Sequence, residues 1–296
     1  MRQLDRTLGA VLGLVLGSLM YSSFVSANAD RSPIPSQPSQ NDCRVCHEQT
    51  MATFETTAHA GIASSCASCH GDANEHLKSN LEKGEPGPIR SFKKVKAGEA
   101  SQVCLSCHEG KSGQKHWTGS THDSHDLSCV SCHNPHPAAG TRPKALLRAS
   151  QQELCTSCHL QKKASMMRSG HMPLREGKLE CSSCHNPHGT PYEKSLLQVS
   201  ANQNCYSCHA EKRGPFLWEH APVRENCMNC HDAHGSTQDK LLKVKTPLLC
   251  QQCHQASSHP GPAYPAASRY AFNQGCLHCH PTIHGSTHPS GNRFFR

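Results

Sequence analysis

Ten times along this chain two cysteines stand two residues apart with a histidine directly after the second. The copies are Cys43-Cys46-His47, Cys66-Cys69-His70, Cys104-Cys107-His108, Cys129-Cys132-His133, Cys155-Cys158-His159, Cys181-Cys184-His185, Cys205-Cys208-His209, Cys227-Cys230-His231, Cys250-Cys253-His254 and Cys276-Cys279-His280. They consume all 20 cysteines. Cys-x-x-Cys-His is the attachment signature of c-type haem, in which both thiols bond to the porphyrin and the histidine ligates its iron. A Cys-x-x-Cys pair alone could serve a zinc site, a redox dithiol or a disulfide framework. None of these requires a histidine after every second cysteine. With His at 24 of 296 residues, ten such placements by chance have odds of roughly 10⁻¹¹. The twenty cysteines are read as haem attachment points and the ten histidines as proximal iron ligands.

Composition supports that reading. Aromatic residues make up 5% of the chain and all hydrophobics 35%, cysteines included. So few apolar side chains would hardly offset the chain entropy of folding by their own burial. Ten porphyrins supply the missing apolar surface, so the haems are the expected core and folding is coupled to their attachment. The formal charge of +8 misleads for the same reason. About twenty propionates and, when oxidised, about ten positive charges at the irons bring the mature total to about −3. Nucleic-acid binding loses its support, and Lys93-Lys94-Lys96 and Lys162-Lys163 read as solvated faces.

Residues 1–29 read as a secretory signal: Arg2 and Arg6, an apolar run from Leu8 to Met20, and Ala27-Asn28-Ala29 before a mature start at Asp30. The apolar run is shorter than the ~20 residues that span a bilayer. Residues 30–42 are a flexible Pro/Ser/Gln lead-in, and 43–296 form a decahaem electron-transfer domain. Within it the chain repeats. Leu146-Leu147, Leu196-Leu197 and Leu241-Leu242 each end eight residues before the next motif's first cysteine, which suggests a short helical turn packing leucines on a porphyrin. Gly and Pro interrupt every segment. The expected fold is a multihaem cytochrome c of short α-helices and loops with almost no sheet, and Glu85-Pro86-Gly87-Pro88 is an expected exposed loop.

Fourteen histidines lie outside the proximal positions, and their spacing repeats. His136, His188 and His234 sit three residues after a proximal histidine, His284 four after and His76 six after. His59, His122 and His220 precede a motif by seven residues and His171 by ten. With His259 they make ten candidates for ten sixth iron positions. A histidine three residues from a proximal ligand cannot easily reach the far face of the same porphyrin, so these close residues are expected to ligate a neighbouring haem. Spacing prefers His122 to His116 or His125; His278 and His288 are left over. Met172 could replace His171 as a ligand, although packing is the plainer role for it. Saturated iron changes charge without binding substrate, and no Cys-x-x-Cys-Lys occurs. The expectation is therefore an electron carrier and not an enzyme.

Trp117-Thr-Gly-Ser-Thr-His122, the repeated His-Asn-Pro-His and the closing stretch Gly275 to Gly291 resemble the periplasmic decahaem cytochromes of outer-membrane porin–cytochrome conduits. The resemblance covers the chain from about residue 43 onward. It implies an elongated haem wire with pentahaem-like lobes, 43–170 and 171–296. It also implies a periplasmic place at the outer membrane, inside a β-barrel porin. The partners so implied are that porin, an outer-surface multihaem cytochrome or reductase, and periplasmic or inner-membrane donor cytochromes. Such a chain cannot expose unpaired backbone to lipid, so another polypeptide must form the barrel. A soluble periplasmic shuttle to a terminal reductase and a multihaem oxyanion reductase are the competing readings.

Overall fold

The structure, a computed structural model, describes residues 43–61, 66–85, 87–111, 113–141, 143–171, 174, 176–254 and 276–295. The leader, the lead-in, Met172 and His259 lie outside these residues. Among the described residues the α-helices run in order: α1 Glu48–Phe54, α2 Ala67–His70, α3 Asn74–Lys83, α4 Ala97–His108, α5 Thr121–Ser124, α6 Cys129–Cys132, α7 Gln151–Cys158, α8 Leu160–Met166, α9 Ala201–Tyr206, α10 Ala221–Glu225 and α11 Leu248–Gln251. The longest, α4, has 12 residues. No strand occurs among the described residues, and β-pairing there consists of isolated bridges. The expected class of short helices and loops without sheet is the class observed. Between the second and third motifs α3 ends at Lys83 and α4 begins at Ala97, leaving Glu85, Gly87 and Pro88 outside any helix where a loop was expected.

Odd and even motifs stand on different supports. The third, fifth and seventh lie at the ends of longer helices, α4, α7 and α9. Serine starts two of these: Ser150 and Glu153 form a capping box on α7, and the Ser200 hydroxyl accepts from the Gln203 amide on α9, satisfying amides that a helix start leaves free. Even motifs occupy single turns, such as α2, α6 and the 3₁₀ segments Cys181–Ser183, Cys227–Asn229 and Cys276–His278.

The paired-leucine stretches differ from the expected helical turn. Ala145-Leu146, Lys194-Ser195 and Lys240-Leu241 hold two successive residues at φ between 52° and 58°. A left-handed pair of non-glycine residues costs on the order of 1–3 kcal/mol each, so surrounding bonds must fix it. Antiparallel bridges do so, joining His133 to Leu147, His185 to Leu196 and His231 to Leu242. In the middle unit Leu196, not Leu197, therefore takes the place of Leu147 and Leu242.

Polypeptide alone makes little core. Among the described residues the buried hydrophobic side chains are Met51, Ala73, Ala100, Leu105, Trp117 and Met166, while Val45, Met167 and Leu217 stand at least 75% exposed. Pro38–Arg296 nonetheless cluster as one unit. A bridge between Ser169 and Ser236 and a ring contact between His133 and His188 both cross the 170/171 position.

Candidate haem-binding sites

Each motif is one helical turn. The proximal amide donates to the carbonyl of the first cysteine four residues back, at 2.9–3.1 Å, in His47, His70, His133, His159, His185, His209, His231, His254 and His280. His108 lies within α4. Residues at i, i+3 and i+4 share one helix face, so both sulfurs and the imidazole are presented together. None of the twenty cysteines is in a disulfide.

Opposite nine of the ten proximal rings stands a second imidazole. His47 faces His76 with ring centres 6.3 Å apart, His70 faces His136 at 6.1 Å, and His108 faces His59 at 6.0 Å. His133 faces His188 at 6.0 Å, His159 faces His122 at 6.2 Å, and His185 faces His234 at 6.1 Å. His209 faces His171, His231 faces His284 and His254 faces His220, each at 6.1 Å. A metal–imidazole bond of about 2.0–2.1 Å, plus slightly over 1 Å from nitrogen to ring centre on each side, requires about 6.3 Å. Direct stacking of two rings would allow closer approach. The gaps are the size of one ligated iron, so the residues present fit the haem that their cysteines imply.

Backbone carbonyls orient the even proximal rings. Nδ1 of His70 donates to Arg90 O at 3.0 Å, His133 to Ala145 O at 2.7 Å, His185 to Lys194 O at 2.9 Å and His231 to Lys240 O at 2.8 Å. A carbonyl can only accept, which puts the proton on Nδ1 and leaves Nε2 facing the gap. Three of these acceptors belong to the left-handed pairs, which explains why that backbone is kept. His280 donates likewise to Arg293 O. Two second-ring histidines are also tied: His76 to Gly87 O at 3.0 Å and His122 to Pro187 O at 2.7 Å.

Local turns aim the second-ring histidines. The amides of His136, His188 and His234 donate to the side chains of Asn134, Asn186 and Asp232, an Asx turn that reverses the chain between the two histidines. The glycine after His188 and His234 permits close packing. A Cβ on Gly189 would lie 2.5 Å from His116 O, and one on Gly235 would lie 2.2 Å from Ser165 O, with φ at 94° and 137°. Trp117, 6% exposed, packs its ring 6.2 Å from that of His188.

Polar hooks dock odd motifs onto even ones. From α9, Asn202 donates to Val223 O and Arg224 O and accepts from the Cys227 amide. From α7, Gln151 donates to the Ser182 hydroxyl and accepts from its amide. From α4, the Ser101 hydroxyl approaches Cys129 without a full hydrogen bond. Nothing in the motif spacing marks these three residues; each precedes its own motif by three or four positions.

Sulfurs of consecutive motifs adjoin. Cys104 lies close to Cys129, Cys155 to Cys181, Cys205 to Cys227 and Cys250 to Cys276. Cys69 and Cys107, Cys132 and Cys158, Cys184 and Cys205, and Cys230 and Cys253 are within electrostatic reach. The series runs unbroken from the second motif to the tenth.

Burial holds His59, His136, His188, His220, His234 and His284 below the ordinary imidazole range. The facing proximal ring adds to this at each. A neutral imidazole is the form that binds metal. The remaining histidines have other surroundings: His125 Nδ1 bonds Thr121 O, and His288 Nδ1 accepts from the Ser290 amide.

Comparison with known proteins agrees with this chemistry. A family described as a doubled CXXCH motif matches residues 122–164, 171–214 and 220–259, and one described as cytochrome c-type protein NrfB-like matches 66–142. Multiheme cytochrome MtrA of Shewanella baltica is 41% identical over 274 residues, 85% of this chain and 79% of the relative. Cytochrome c-type protein NrfB of Haemophilus influenzae is 34% identical over 111 residues, 33% of this chain and 45% of that protein. NrfB of Escherichia coli is 27% identical over 159 residues, 49% and 78% of the two chains. The chain carries covalently bound c-type haems, its 20 cysteines fit ten of them, and its work is electron transfer and not substrate turnover; it belongs to the MtrA family of multihaem cytochromes.

Proposed function

We propose that each facing imidazole pair is the axial ligand pair of one iron, and that His259 completes the tenth with His280. Second ligands then follow a rule. Even motifs two, four, six and eight take the histidine just beyond the next even motif: His136, His188, His234 and His284. Odd motifs three, five, seven and nine take one that precedes the neighbouring even motif: His59, His122, His171 and His220. The first takes His76. The chain is thereby laced, each unit holding ligands for its neighbours.

A haem iron held by two imidazoles exchanges one electron with no vacant position for substrate. The chain's own residues orient the rings through carbonyl acceptors, exclude water by burial and place consecutive attachment sites side by side. We infer a relay carrying electrons between periplasmic carriers and the cell exterior. The chain would be exported by residues 1–29 and seated inside an outer-membrane β-barrel, with an outer-surface cytochrome or reductase beyond it. No helix among the described residues is long and apolar enough to cross a membrane, so this reading requires the barrel from another chain. The carrying observation is the set of nine ring pairs at 6.0–6.3 Å.

The NrfB-like match over 66–142 favours a second reading, a periplasmic shuttle without a barrel. Purification of the native protein from outer membranes in mild detergent separates the two. A co-purifying β-barrel supports the conduit; a barrel-free protein recovered wholly from the periplasmic fraction contradicts it.

A further inference from the structure

The nitrogen of each ring that faces away from its gap is not treated alike along the chain. Even proximal rings give their Nδ1–H to a carbonyl: Arg90, Ala145, Lys194, Lys240 or Arg293. Among the described residues, motifs three and seven have no such acceptor on either ring. His108 has no protein acceptor among the described residues, and His209 Nδ1 lies 3.8 Å from the Glu211 carboxylate, beyond a hydrogen bond. Their facing rings, His59 and His171, bury Nδ1 completely with no partner; the equally buried Nδ1 of His220, opposite His254 in motif nine, differs in approaching the Ile283 backbone without a full hydrogen bond. A nitrogen lining the gap would be open on its sides, so these buried nitrogens face protein and Nε2 is left to face iron.

An N–H donated to a carbonyl makes the imidazole more basic and pushes electron density onto the metal, stabilising the oxidised state. A buried N–H with no acceptor leaves the ring a weaker donor. We propose that this difference sorts the centres into two redox classes. The centres of motifs three and seven take electrons at higher potential, and those of the even motifs at lower potential. Each reduction adds one electron to one iron and makes or breaks no bond. A partly reduced chain therefore holds its first two electrons at two places four motifs apart, one in each half, as resting points within the relay. This rests on the ligand pairing proposed above.

Spectroelectrochemical titration of the full, haem-loaded protein tests it. About two tenths of the low-spin amplitude should reduce ahead of the even-motif fraction. His59→Ala and His171→Ala should each turn one tenth of the haem high-spin and remove that tenth from the early fraction, whereas His188→Ala removes it from the later one. Lys194→Pro, whose ring cannot adopt φ of 54°, should displace the His185 acceptor and move one tenth upward. Lys194→Gly, which removes the same charge but keeps the left-handed turn, should restore the native division. The inference is overturned if all centres are low-spin and the titration is undivided, or if His171→Ala draws its tenth from the late fraction. High-spin haem in the native protein would instead overturn the ligand pairing.

Discussion

A histidine three residues beyond a proximal ligand has no route over its own porphyrin, and His188 shows where it goes. Asn186 turns the chain, Gly189 lets it lie against His116, and the ring meets His133 and not its neighbour His185. The recurrence of His-x-x-His in the sequence marks such residues, but which ring each one meets depends on contacts 50 or so residues away, which spacing does not encode. Replacing His188 by alanine should open a single centre. One tenth of the haem should then give a high-spin signal at low temperature and bind carbon monoxide when reduced, with the rest unchanged. Acid should act at the same residues. Burial lowers His59, His136 and His188 in the folded chain, so below the unfolded imidazole value of about 6.5 the unfolded state binds more protons. Their contribution is complete above that pH and is lost as pH falls from it through the lowered folded values. A titration from pH 7 to 4, followed by spin state and circular dichroism, should show loss of low-spin haem with loss of structure. Low-spin haem undiminished at pH 4 would count against this.

At the scale of elements, the helices carry the motifs while turns and hooks aim them. Short helices broken by Gly and Pro were readable from the chain. The left-handed pairs were not, because Lys194, Ser195, Lys240 and Leu241 carry no residue that favours that backbone; the regular leucine spacing was their trace. Asn202 was equally silent, being one polar residue among many until its three bonds are seen. Asn202→Ala strips acceptors and donors from a buried position, and the expected cost is about 1–3 kcal/mol, read as a lower thermal midpoint with haem content intact. Gly235→Ala meets both a 2.2 Å approach to Ser165 O and φ of 137°. It should cost at least about 1–3 kcal/mol and raise high-spin haem by one tenth as His234 is pulled from His185. An unshifted midpoint with wholly low-spin haem would show that the turn tolerates a side chain.

For the molecule as a whole, cofactor stands where an apolar core would be. Composition made this legible, since so few hydrophobic residues cannot close a core without it, and among the described residues only six hydrophobic side chains are buried. That a close histidine serves a neighbouring haem was expected from its spacing; which neighbour it reaches was not legible, because that is a property of how single turns dock on one another. The proposed pairing would make the chain one cooperative body, its centres saturated only when neighbouring units are in place. Chain prepared without haem should therefore show little fixed tertiary structure, measured as collapsed near-ultraviolet circular dichroism and rapid proteolysis. The most direct test of the account is low-temperature electron paramagnetic resonance of the fully oxidised, fully loaded protein with spin quantitation against iron. Ten low-spin centres with paired imidazoles and no high-spin intensity are expected. A stoichiometric high-spin centre in the intact protein would contradict the claim that every iron is held from both sides.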